Sequence, residues 1–73
     1  MPELPKCSGA EALKIFEWLG FHRVRQRGSH VVIRRKDKGT VVPLHSSLAT
    51  GTLRGAIRQA GLSVEEFIKA ARN

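Results

Sequence analysis

Apolar residues recur along this chain with two periods, and the change from one to the other outlines a fold. Ala12, Ile15, Phe16 and Leu19 recur at helical spacing. Just before them, Ser8-Gly9-Ala10-Glu11 fits a capping box, with Ser8 as N-cap and Glu11 reaching back from the third helical position. Gly20 offers a left-handed stop, so a helix is predicted over roughly residues 9–19. Trp18 falls beside the apolar stripe, and packing is its expected role. Residues 21–27 then alternate well enough for a strand, Gly28-Ser29 interrupts, and residues 30 to about 35 form a second strand around β-branched Val31, Val32 and Ile33. Gly28 supplies the positive φ that a two-residue type II′ hairpin needs at its first central position.

Lys36-Asp37-Lys38-Gly39 reads as a polar turn, and residues 40–45 as a third strand. Pro43 removes a ladder donor, which puts that strand at a sheet edge. After a loop at 46–50, Leu53, Ala56, Ile57 and Ala60 share one face of a second helix that ends at Gly61, weakened by Gly55. Ser63-Val64-Glu65-Glu66 is a second capping box and opens a short last helix with Val64, Phe67, Ile68 and Ala71 apolar. The order is α-β-β-β-α with a short added helix. It predicts a single α+β domain over residues 1–73, a three-stranded antiparallel sheet with helices on one face, and residues 1–7 as an extended lead-in.

The turns also predict a register. If residues 36–39 turn symmetrically, Val31 faces Leu44, Ile33 faces Val42, and His30 falls directly opposite His45. The Gly28-Ser29 turn sets Arg27 opposite His30, Arg25 opposite Val32 and Arg23 opposite Arg34. The face away from the helices then carries Arg23, Arg25, Arg27, His30, Arg34 and His45.

Charge sharpens this picture. The formal net charge is +7, and residues 22–38 alone hold a net +6. Positive charge concentrated on strand-like sequence favours a polyanion, nucleic acid before membrane, because a membrane-surface helix needs its cations opposite an apolar helical face. A hydrophobic fraction of 41% is too high for a disordered chain, and 73 residues lie near the lower limit for a self-supporting core. Cys7 is the only cysteine, so neither an internal disulfide nor a cysteine zinc cage is available, and a reducing compartment is expected. No stretch approaches the roughly 18 apolar residues of a membrane span, and no targeting signal opens the chain, so a soluble, cytoplasmic protein is expected.

Arginines around an imidazole outline a phosphate site. Arginine offers forked donors to phosphate oxygens and keeps its charge, while histidine takes and gives protons at cellular pH. RNA brings its own nucleophile, the 2′-hydroxyl, so no metal is required, and no carboxylate cluster stands near His30 in the sequence to hold one. His30 is therefore the candidate general base, with Arg23, Arg25, Arg27, Ser29 and Arg34 as candidate RNA contacts and His45 as a candidate auxiliary. From local sequence alone, a surface histidine closing a hairpin remains the alternative reading.

Gly20-Phe21, Arg25-Gln26-Arg27-Gly28-Ser29-His30, Val42-Pro43-Leu44-His45, Gly51-Thr52-Leu53 and Gln59-Ala60-Gly61-Leu62-Ser63 with Phe67 together resemble the HicA toxins of bacterial toxin–antitoxin systems. The resemblance covers essentially the whole chain, in order. It implies a fold like a double-stranded-RNA-binding domain, an mRNA endonuclease that works without the ribosome, and a HicB antitoxin that covers the active site. The family's essential histidine, in its Gly-Ser-His motif, falls on His30; no family motif assigns a catalytic role to His22 or His45. Ala49-Thr50, where the family often has lysine or proline, and the small Gly55-Ala56 pair depart from the pattern. A non-catalytic RNA- or DNA-binding module using the same basic face is the second hypothesis.

Overall fold

Both capping boxes form. Ser8 Oγ accepts the Glu11 N–H at 3.1 Å while a Glu11 carboxylate oxygen accepts the Ser8 N–H at 2.8 Å. Ser63 and Glu66 repeat the exchange at 3.1 and 2.9 Å. These caps start α1 (Gly9–Trp18) and α3 (Val64–Ala71) in a computed structural model that describes residues 3–72. The lead-in expected over 1–7 is described only from Glu3 onward, where it is neither helix nor strand; Met1 and Pro2 lie outside the described residues, as does Asn73. Between the capped helices run β1 (His22–Arg27), β2 (His30–Arg35), β3 (Lys38–Pro43) and α2 (Thr50–Gln59). The strands form one antiparallel sheet in the order β1-β2-β3, so Pro43 does lie on an edge strand.

The helices cover one face of this sheet. Leu13 and Phe16 of α1, Leu53 and Ile57 of α2, and Phe67 of α3 join Val31, Ile33 and Val42 of the sheet in one buried cluster. Phe16 sits among aromatics, edge-on to Phe21 at 5.5 Å and tilted against Phe67 at 5.2 Å between centroids. Thr40 is buried on the same side, and its hydroxyl donates to the Gln59 side-chain oxygen of α2 at 3.3 Å. Arg35 closes the end of α1: it donates to the Leu19 carbonyl at 2.8 Å and its guanidinium lies 4.9 Å from the Phe21 ring centroid. A cation there meets both a terminal carbonyl and the negative end of the helix dipole. Cys7 is buried, and burial, with the Glu11 charge adding to it, pushes its thiol up and keeps it protonated, a small apolar core group.

Trp18 corrects the expectation that it packs, for it stands 69% exposed. The inward stripe is Gly9, Ala12, Leu13 and Phe16. Trp18 lies two residues beyond Phe16, roughly 200° around the helix, on the opposite side.

Two register corrections follow, one from a turn and one from a bulge. The second hairpin turns on Lys36 and Asp37 alone, with Arg35 paired to Lys38. His30 therefore faces Pro43, not His45; Val31 faces Val42 and Ile33 faces Thr40. Sequence hid this turn because its first central residue is Lys36, at φ +55°, whereas the glycine that advertises a turn is Gly39. Two-residue turns of this hand match the twist of the strands they join, and Arg34 Nε–H donates to the Lys36 carbonyl at 3.2 Å. The shift is by two residues, so every side chain of β3 keeps its predicted face. The second correction is a bulge in β1 between Arg23 and Arg25, beyond which Arg23 pairs with Ile33 and His22 with Arg34.

Candidate nucleic-acid interface

The sheet face opposite the helices is built on the β1–β2 hairpin. Its turn is held by several independent contacts. Gly28 takes φ +55°, the Gln26 side-chain amide donates to the Gly28 carbonyl at 2.9 Å, and the Ser29 carbonyl accepts the Leu44 N–H at 2.6 Å. His30 leaves this turn as the first residue of β2, the central strand, and is exposed. Its position on the backbone is thereby fixed from both neighbouring strands while its ring stands in solvent.

Three cross-strand pairs lie on this open face. Arg27 pairs with His30, Arg25 with Val32, and His22 with Arg34. β3 extends the first two with Pro43 and Val41. The face thus presents Arg25, Arg27, Arg34, His22 and His30 around the half-buried Val32 and the exposed Val41. Paired arginines without a carboxylate on the same strand pairs make a surface for phosphate oxygens.

The expected site residues divide accordingly. Arg25, Arg27, His30 and Arg34 come together on the face, with Ser29 in the turn beside them. Arg23 does not join them. The bulge sends it to the helix side of the sheet, where its Nε–H meets a Glu17 carboxylate oxygen of α1 at 3.3 Å. His45 is not across from His30. It follows the end of β3, and its carbonyl accepts the Gly9 N–H at 2.9 Å, tying the loop to the start of α1. It lies two residues beyond the partner of His30, outside the β2–β3 ladder. Among the described residues, no three His, Cys, Asp or Glu side chains come together as metal ligands do.

Sequence reasoning did not place His22 on this face. The reason lies in β1 itself, whose six residues are all exposed. A strand with no buried side chain has no hydrophobic pattern to pin its register, so the alternation of arginines could not reveal a bulge. The one available signal was Val24, an apolar residue out of phase with the arginines, which stands 54% exposed at the bulge.

No helix among the described residues is long and apolar enough to cross a membrane. Comparison with protein-family models matches residues 9–62 to the family described as HicA toxin of bacterial toxin-antitoxin systems. No match is found among curated proteins. The matched span runs from the first residue of α1 through the hairpin and its Gly-Ser-His turn to the end of α2, more than half of the chain, and the α-β-β-β-α order is the one expected of that family: this chain belongs to the HicA toxins.

Proposed function

We propose that this toxin is an endoribonuclease that cleaves mRNA, with His30 as general acid and base and without a metal ion. Arg25, Arg27 and Arg34 hold the RNA backbone, Ser29 contacts it from the turn, and His45 serves as an auxiliary from beyond the end of β3. A HicB-like antitoxin neutralises the toxin by covering the open face in the cytoplasm, where the mRNA is. The observation that carries this reading is His30 itself: exposed, rigidly placed at the start of the central strand, and paired with Arg27 on a face bearing two further arginines.

The chemistry needs no group beyond these. His30 takes the proton of a 2′-hydroxyl, whose oxygen attacks the adjacent phosphorus. The bond from phosphorus to the 5′-oxygen breaks, and that oxygen leaves with the proton that His30 gives back, yielding a 2′,3′-cyclic phosphate and a 5′-hydroxyl end and returning His30 to its neutral form. Negative charge grows on the phosphoryl oxygens during attack, and the arginines oppose it without titrating. One positioned histidine contributes about 10²- to 10⁴-fold, which describes a slow nuclease that leans on electrostatics.

The test is cleavage of a defined RNA in EDTA by the wild type and by His30→Ala. Expected are cleavage by the wild type, none by the variant, and RNA binding by both, since an exposed strand position tolerates the substitution. Wild-type activity in the variant would remove His30 from the mechanism. Binding without cleavage by either protein would select the non-catalytic module instead.

A further inference from the structure

The bulge in β1 gives the open face a spacing as well as a charge. Its pairs Arg27–His30, Arg25–Val32 and His22–Arg34 fall at every second residue of β2, so they repeat at about 6.6 Å along the strand. That step is comparable to the phosphate spacing of an extended single strand. Each step carries a cation or an imidazole on the β1 side, in the order Arg27, Arg25, His22. The middle step adds apolar surface from Val32 and Val41. A regular β1 would have set Arg23 at the third step, but the bulge turns Arg23 toward Glu17 and brings His22 in its place.

We infer that His22 and Arg34 form a second phosphate subsite, two steps from His30, and that the substrate is a single RNA strand lying along the β1–β2 pair. This rests on the ribonuclease reading above and adds to it a substrate form and a minimum length. His22 is a binding residue here; it lies roughly 13 Å along the strand from His30, four residues of β2, and does not reach the reacting atoms. Arg34 commits its Nε–H to the Lys36 carbonyl. Its guanidinium carries five N–H donors in all, so that bond leaves the fork with donors for a phosphate. A duplex presents its two backbones on a curved surface, whereas three collinear steps on a sheet follow one backbone.

The experiment measures binding of unstructured oligoribonucleotides of two to six residues, made uncleavable by 2′-O-methylation, to wild type, His22→Ala, His22→Arg and Arg23→Ala. Wild-type affinity is expected to climb until about four nucleotides span the three steps, and to exceed that for a duplex of equal length. His22→Ala is expected to weaken binding of the longer strands by about three- to fivefold, as for one hydrogen bond to a phosphate oxygen, with the loss growing from two to four nucleotides. His22→Arg restores it, and Arg23→Ala, on the other side of the sheet, matches the wild type. Equal binding by His22→Ala and wild type at every length overturns the subsite, as does a preference for duplex. If the wild type cleaves a longer RNA while His22→Ala is silent in binding, only this inference falls; if the wild type neither binds nor cleaves RNA, both fall.

Discussion

A methyl group at position 9 has nowhere to go. A Cβ on Gly9 would overlap the Pro43 carbonyl oxygen and press on the Leu44 Cα at 2.8 Å, because the first turn of α1 lies directly on the backbone that leaves β3. The same closeness lets the Gly9 N–H reach the His45 carbonyl, so one missing side chain joins the helix start to the end of the sheet that carries His30. Gly9→Ala is expected to cost about 1–3 kcal/mol through forced backbone movement. Gly55, in the middle of α2, is the opposite case. A Cβ there meets nothing within 4 Å, and Gly55→Ala is expected to stabilise by up to about 1 kcal/mol. Thermal unfolding of the two variants should give shifts of opposite sign, and a neutral Gly9→Ala would show the contact to be soft.

The elements were legible in proportion to how much their sequence had to satisfy. Both Ser-x-x-Glu boxes and the stripes they precede encode local hydrogen bonds and a buried face at once, and α1 and α3 lie where those signals put them, while α2, with no side-chain cap, lies where its apolar stripe alone put it. β2 was equally plain, because Val31 and Ile33 had to face inward. The turn at Lys36-Asp37 and the bulge in β1 were not legible: one adopts a left-handed conformation on a lysine, the other sits in a strand with no buried residue. The site inherits this division, since His30 could be read from its turn whereas His22 and the true place of Arg23 could not. The boxes also predict a response to acid. The Ser8 backbone N–H, then its hydroxyl, hold the Glu11 carboxyl below its usual range, and Ser63 does the same for Glu66. A lowered folded-state pKa gives stability that is fully present above the unfolded value of about 4.3 and is lost as pH falls through the folded value. Denaturant midpoints should therefore decline below that pH, and the decline should flatten in a Glu11→Gln, Glu66→Gln double variant, which no longer titrates at either box.

Over the whole molecule, the hairpin's net +6 overstates the charge that the open face offers. Arg23 is paired with Glu17, Arg35 is folded onto Leu19 and Phe21, and Lys36 with Asp37 forms the opposite turn. Arg25, Arg27 and Arg34 remain on the open face. Three phosphate contacts on a single strand imply a log–log salt slope of about −2, hence a roughly 20-fold loss of affinity between about 50 and 200 mM salt. Six contacts would give a loss of several hundredfold, so titration across that range distinguishes the two counts, and a flat response would exclude the face altogether. The same arginines are unequally anchored. β2 is clamped between two strands and backed by helices, whereas β1 has six exposed residues and packs mainly on β2 alone. The hairpin is thus a stiff anvil with a compliant jaw: the His30 imidazole and Arg34 ride on the stiff strand, and Arg25 and Arg27 ride on the yielding one. Amide exchange should run faster in β1 than in β2, and bound RNA should slow the first far more than the second.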